Sequence, residues 1–267
     1  MNNRLENSSL PTEPSTSQPS YKPRHFVTAG GKKLLDSLEK TVARYSWVEN
    51  QPFLECNQFP WIVELEKNWE VIRQELDDLL EIVEQLPNFQ QISADQYRIS
   101  SDNLWKTFFF YGYGFKAEQN CQRCPKTTEL IEKIPGMKTA FFSILFPHKH
   151  IPEHRGPYKG VLRYHLALKV PQQGCQIRVG NETRSWEEGK SLVFDDTLPH
   201  EVWNQSDEIR VVLFVDVVRP MKFPFSLLNQ IIIKLISWSP FVQNAKREAL
   251  AWEKRLEEVA PIKGTNH

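Results

Sequence analysis

Apolar residues recur at helical spacing in the first third of this chain and in alternating or clustered runs through its centre, so two kinds of text follow one another. From Lys32 to Tyr45, and again from Ile62 to Leu86, the spacing predicts helices. In the second stretch Leu65, Trp69, Ile72, Leu76, Leu79, Leu80 and Val83 fall on one face, which would cover one side of a core. Between Met137 and Val217 short β-rich runs are separated by turn text at Pro171-Gln-Gln-Gly174, Gly180-Asn181 and Glu187-Glu-Gly-Lys190. The predicted strands are Thr139–Phe146, Leu162–Val170, Cys175–Val179, Ser191–Phe194, His200–Asn204 and Ile209–Val217. That spacing predicts a mainly β protein, an antiparallel barrel or jelly roll with flanking helices.

The two ends of the chain differ from the centre. Residues 1–23 are rich in Ser, Thr, Asn, Gln and Pro and nearly free of bulky apolar side chains, so they are expected to be a disordered tail. A helical region over 24–95 is expected to pack on a core domain over 96–220, with a C-terminal helical extension over 221–267. Within that extension Phe223 to Trp238 is strongly apolar, but it is too short and too interrupted for a bilayer span of about 20 residues. Its apolar face fits packing against the barrel or a dimer partner, with peripheral membrane contact as the alternative.

Alternation along Leu162 to Val170 puts Leu162, Tyr164, Leu166 and Leu168 on one face and Arg163, His165 and Ala167 on the other. The run Ile209 to Val217 separates Arg210 and Asp216 from Ile209, Val211, Leu213 and Val215 in the same way. Alternation alone leaves two arrangements open. The polar faces are solvated on the outside, or they line a ligand cavity inside, where buried charge needs a partner.

Composition narrows the function classes. With 267 residues and 40% hydrophobic content the chain is long enough to bury a full core. Lys and Arg number 33 and Asp and Glu 33, so there is no electrostatic footprint for nucleic acid. Four cysteines do not make a secreted disulfide framework, and the N-terminus lacks a charged start followed by an apolar core, so a cytoplasmic location is expected. Cys121 and Cys124 form a single CxxC, a weak zinc signal that fits reduced loop thiols better than an interaction module built on zinc.

Of the seven histidines, His25 and His267 fall in the terminal tails, while His148, His150 and His154 cluster in one segment and His200 follows Leu198-Pro. By composition alone any of the three clustered histidines could bind metal.

An ordered set of segments resembles the aspartyl/asparaginyl β-hydroxylase family. It comprises Trp105-Lys-Thr-Phe108, Cys124-Pro-Lys-Thr-Thr128, His154-Arg-Gly-Pro157, Leu162-Arg-Tyr-His-Leu166, Asn181-Glu-Thr-Arg-Ser-Trp-Glu-Glu-Gly189 and Phe194-Asp-Asp196. The resemblance implies a double-stranded β-helix, the cupin-like jelly roll, and turns the polar faces inward. It implies an oxidoreductase that uses Fe(II), 2-oxoglutarate and O2 to hydroxylate an unactivated C–H. His154 and His200 would be the metal ligands, and two neutral imidazoles suit Fe(II). Gly156 stands where most such oxygenases carry a carboxylate ligand, but active members of the family share His-x-Gly. Asp196 resembles the family aspartate that holds an iron-bound water; read from the residues alone it is equally a turn aspartate after Phe194. Arg210 and Ser143 would grip the distal carboxylate of 2-oxoglutarate, with Arg163 and His165 around its C1 carboxylate.

Substrate traces divide between two branches. Asn181-Glu-Thr183 and His200-Glu-Val-Trp203 look like the peptide hydroxylases. Phe59-Pro-Trp-Ile62, Gly160-Val-Leu-Arg-Tyr-His165 and Asp216-Val-Val-Arg-Pro220 look like the bacterial lipid A 2-hydroxylases. At Val161 the animal peptide hydroxylases carry an arginine. Lipid A hydroxylases usually have an N-terminal membrane segment and this chain shows none, so the leading expectation is β-hydroxylation of an aspartyl or asparaginyl residue or a related amino acid. A lipid acyl-chain 2-hydroxylase is the alternative, and a catalytically silent cupin-like binding protein is a third.

Overall fold

The computed structural model describes residues 29–262, so the expected tail over 1–23, His25 and His267 lie outside the described residues. The chain enters through helix α1 (Ala29–Tyr45), a two-residue strand β1 (Phe53–Leu54), helices α2 (Ile62–Lys67) and α3 (Trp69–Leu80), and a single turn α4 (Phe89–Ile92). The predicted helix from Ile62 to Leu86 is therefore broken. Asn68 donates from its side chain to the Glu64 carbonyl and leaves helical geometry, a backbone competition typical of Asn. The second stretch stops at Leu80, and Val83–Gln85 is only a tight 3₁₀ turn.

Strands β2 (Trp105–Gly112) and β3 (Phe115–Lys116) form a hairpin, followed by α5 (Glu118–Arg123) and α6 (Pro125–Glu132). The barrel continues with β4 (Met137–Leu145), β5 (His150–His154), β6 (Val161–Lys169), β7 (Cys175–Val179), β8 (Glu182–Ser185), β9 (Ser191–Phe194), β10 (His200–Asn204) and β11 (Arg210–Val218). Helices α7 (Phe225–Ser237) and α8 (Pro240–Val259) close the chain. All six predicted strands are present within a residue or two of their expected ends.

Two antiparallel sheets build the jelly roll, one ordered β1-β9-β6-β11-β4-β2-β3 and the other β5-β10-β7-β8. β1, expected to belong to a helical region, pairs with β9 and so edges the larger sheet. The outer face of that sheet carries Leu162, Tyr164, Leu166, Leu168, Leu213 and Val215, and it packs on Leu65, Ile72, Leu76, Leu79 and Ile131 of α2, α3 and α6. Its inner face carries Phe141, Leu145, Ala167, Val212 and Phe214, which meet Ile151, Ile177, Val179 and Val202 of the smaller sheet. Because helices take the apolar outer face, the polar members of β6 and β11 can only face the barrel interior.

Candidate active site

β5 and β10 are neighbours, and their register sets His154 directly opposite His200. Ile151 to His154 on β5 spans the same stretch as Val202 to His200 on β10, so β5 carries one extra residue there. Such a bulge rotates the strand, which lets Ile151 and His154 both point inward. Pro152 lies in that bulge on an edge strand, where its missing N–H costs least. The two imidazole centroids end 4.1 Å apart.

Each imidazole is held from behind by a backbone carbonyl. His154 Nδ1 lies 2.9 Å from Pro152 O, and His200 Nδ1 lies 3.0 Å from Leu198 O. With Nδ1–H donating, each Nε2 keeps its lone pair. Burial, then the neighbouring His200, lowers the His154 pKa to about 3; burial, then Arg163, lowers that of His200 to about 4. Both rings are therefore neutral at physiological pH, the form that binds a metal. Among the described residues no group of three or more His, Cys, Asp or Glu side chains comes together as a metal site, so the pair has no third protein ligand of those types.

Asp196 is nearby and fully buried. A Cβ built on Gly156 would fall 2.0 Å from Asp196 Oδ2, 2.3 Å from its Cγ and 2.5 Å from Oδ1. The Asp196 carboxylate thus occupies the room that a side chain at position 156 would need, and Gly156 N donates to Asp196 O at 2.7 Å. Arg163 Nη2 is 2.9 Å from Asp196 Oδ2, but off the hydrogen-bonding axis, so both carboxylate oxygens are left without a hydrogen bond. Burial raises the Asp196 pKa, and Arg163 opposes it. Arg163 Nε also donates to Asp216 Oδ1 at 3.2 Å, so one guanidinium serves two buried carboxylates. Despite burial, that pairing raises the Arg163 pKa.

Deeper in the barrel Arg210 is 1% exposed, and no carboxylate among the described residues is within ion-pair distance of it. Its guanidinium lies 4.6 Å over the Trp186 ring, Nη1 reaches only the Ser143 carbonyl at 3.5 Å, and Nε has no partner. Burial lowers its pKa to about 10, still charged at neutral pH. Ser143 Oγ accepts from Trp105 Nε1 at 3.0 Å, which leaves the hydroxyl proton free to donate. His165, between Phe194, Phe214 and Trp186, is buried with both ring nitrogens unpartnered. Burial, then Arg210, holds its pKa well below the ordinary value, so it too is neutral.

All seven expected site residues thus line one interior. The other clustered histidines do not join it. His148 sits in a turn with φ 60° and lies 3.0 Å from Asp207, while His150, in strand β5, stacks outside on Trp203. Cys121 and Cys124 are core thiols rather than loop thiols; burial raises the Cys121 pKa to about 11 and that of Cys124 well above its ordinary value.

Several contributors escaped sequence reasoning. Trp186 floors Arg210, and the alternation of β8 and the turn after it gave no hint that it turns inward. Asp195 binds buried Arg219 at 2.6 Å and also Lys159, tying the loop after His154 to the end of β11. Tyr113, from the β2–β3 turn, is within electrostatic reach of Asp216, Asp196 and Arg163; burial, then Asp216, raises its pKa well above the usual value.

Comparison with known proteins fits this geometry. The chain is 46% identical over 215 residues, 80% of this chain and 76% of that protein, to the ornithine lipid ester-linked acyl 2-hydroxylase of Rhizobium tropici. It is 38% identical over 165 residues, 60% of this chain, to human aspartyl/asparaginyl beta-hydroxylase, of which it spans only 21%. Among solved structures it is similar to a Pseudomonas putida prolyl-4-hydroxylase, with TM-score 0.38 and 16% identity over 69% of this chain and 98% of that one. The pattern of the Aspartyl/Asparaginyl beta-hydroxylase family matches residues 66–220, from α2 to the end of the barrel. With His154, His200 and Arg210 all inside that match, the chain belongs to the aspartyl/asparaginyl β-hydroxylase family of hydroxylases.

Proposed function

We propose that this protein is an Fe(II)- and 2-oxoglutarate-dependent hydroxylase acting on the ester-linked acyl chain of a polar lipid. One observation carries the cosubstrate: Arg210 is a buried, charged guanidinium with no carboxylate within ion-pair distance among the described residues. An unpaired buried charge is costly, so the site is complete only with an acidic ligand. 2-Oxoglutarate would supply that anion, with one carboxylate on Arg210 and Ser143 and the other directed to the metal side.

The residues fit the metal as well. His154 and His200 would hold Fe(II) through their free Nε2 atoms, and the bound metal with 2-oxoglutarate and O2 would supply the oxidising power for C–H hydroxylation. The chain's own side chains position and shield. Pro152 O and Leu198 O fix the imidazole orientation, Arg163 holds Asp196 against Gly156, and His165 offers an N–H to a carboxylate. Phe141, Phe194 and Phe214 keep water from the interior.

The expected peptide substrate gives way to the lipid alternative on two grounds. Similarity to the lipid hydroxylase extends over 80% of this chain, against 60% for the peptide hydroxylase. Val161, at the position of the peptide hydroxylases' arginine, is buried with Tyr158 and Ile233 in an apolar cluster, which offers nothing to an acidic side chain.

Anaerobic titration with Fe(II) and 2-oxoglutarate tests the cosubstrate. Wild type should develop a visible charge-transfer absorption, His154→Ala should not, and Arg210→Ala should need roughly tenfold more 2-oxoglutarate. Wild type without any absorption would leave the silent binding protein as the better account.

A further inference from the structure

We infer that the outer face of α7, with Trp47 and Phe223 beside it, docks on an anionic lipid surface and holds the barrel mouth against the bilayer. As the route by which substrate arrives this rests on the lipid reading above, but the docking itself does not require the hydroxylase chemistry.

α7 has two unlike faces. Inward, Asn229 is buried, accepts from Tyr158 Oη at 2.9 Å and donates to Gly160 O at 2.9 Å, while Ile233 packs with Tyr158 and Val161. A Cβ on Gly160 would meet Asn229 Oδ1 at 2.0 Å, so the fit is close. These contacts pin the helix to the segment that follows His154-Arg-Gly-Pro157. Outward, Leu227, Ile231 and Leu235, one turn apart in succession, are exposed, as is Trp238 at the helix end. Phe223 is 82% exposed and Trp47 68%. Trp47 N donates to Pro220 O, and Tyr45 stacks on Phe225 at 3.6 Å, so the two aromatics belong to the same end of the molecule.

Charge selects the occupant. From Val217 to Arg247 the chain has no Asp or Glu; Arg219 is buried on Asp195, and Lys222, Lys234, Lys246 and Arg247 remain. Lys222 Nζ lies 5.1 Å over the Trp47 ring and Lys234 Nζ lies 5.4 Å over that of Trp238. An aromatic ring with a cation folded over it, beside an aliphatic stripe, suits the boundary between acyl chains and anionic headgroups. Among the described residues no single helix is long and apolar enough to cross a membrane; α7 and α8 reach that length and apolarity only together, and they bend by 61° at their junction.

A groove lies beside the docked face. About 820 Å³ in volume, it runs beneath α7 between Trp61, Val218, Ile233 and Lys234 and reaches Tyr113. Tyr113, which lines that groove, is also within electrostatic reach of the Arg163–Asp216 pair of the barrel interior.

The test is cosedimentation of the full chain, without iron or 2-oxoglutarate, with vesicles of phosphatidylcholine alone or mixed with phosphatidylglycerol. Wild type should partition onto the mixed vesicles and much less onto the neutral ones. Leu227→Ser/Ile231→Ser/Leu235→Ser should lower partitioning at least about tenfold. Lys222→Glu/Lys234→Glu should lower it on mixed vesicles only, as should high salt. Matching thermal melts would show that the variants fold. No vesicle-bound wild type, or a triple serine variant that binds like wild type, would overturn the proposal. So would a wild-type dimer that the serine changes convert to monomer while neither binds vesicles, which would assign the face to a second copy. Because hydroxylation is not read, failure of docking and failure of the lipid reading are separate results.

Discussion

Gly156 and Asp196 share one volume, and that supports a prediction free of any assumption about the reaction. Replacing Gly156 with Ala adds a single carbon, which the backbone would place 2.0 Å from Asp196 Oδ2, where nonbonded atoms do not approach. Asp196 cannot simply swing aside, because it is fully buried and paired with Arg163 at 2.9 Å. Overpacking in a core costs about 1–3 kcal/mol, and displacing Asp196 from Arg163 adds to it, so Gly156→Ala should lose about 2–4 kcal/mol. In an Asp196→Ala background the clash disappears and Arg163 keeps Asp216, so the same change should cost below about 1 kcal/mol. Urea unfolding of the four proteins in a double-mutant cycle reads the coupling directly, expected at about 2 kcal/mol or more. Equal costs of Gly156→Ala in both backgrounds would refute the claim that the glycine exists to admit the aspartate.

Three further outcomes follow from the same network. Asp195→Asn leaves buried Arg219 and Lys159 without their carboxylate, and chemical denaturation should show a loss of about 3–5 kcal/mol. His154 and His200 titrate at about 3 and about 4 in the fold against 6.5 when free, so between those values the unfolded chain binds protons that the native chain does not. Stability of the metal-free protein should therefore fall as pH drops from about 6.5 toward 4, and His154→Ala/His200→Ala should flatten that dependence in urea melts. Cys121→Ser/Cys124→Ser should change stability without changing metal content, because both thiols are core groups; loss of stoichiometric zinc in metal analysis would contradict this.

How much the sequence revealed differed by element. β6 and β11 were legible as strands because each alternates, although alternation could not choose inside from outside. That choice depended on α2, α3 and α6 covering Leu162, Leu166 and Leu213, a tertiary fact. β2 was hidden because Trp105 to Phe110 is buried on both faces and so shows no period of two. β5 was hidden by Pro152 and by its bulge, the same irregularity that brings His154 to His200. The site residues themselves came from family resemblance, since composition could not separate His154 from His148 and His150. Trp186 and Asp195 became visible only when the fold placed them against Arg210 and Arg219.

The most direct test of the central claim is aerobic turnover of the purified protein with Fe(II), 2-oxoglutarate and a polar lipid extract, measuring succinate and lipid mass together. Succinate should form in step with the gain of one oxygen on an ester-linked acyl chain, both abolished in His200→Ala. Hydroxylation of aspartyl peptides with the lipids unchanged would contradict the lipid assignment, and lipid oxidation that persists in His200→Ala would contradict the site.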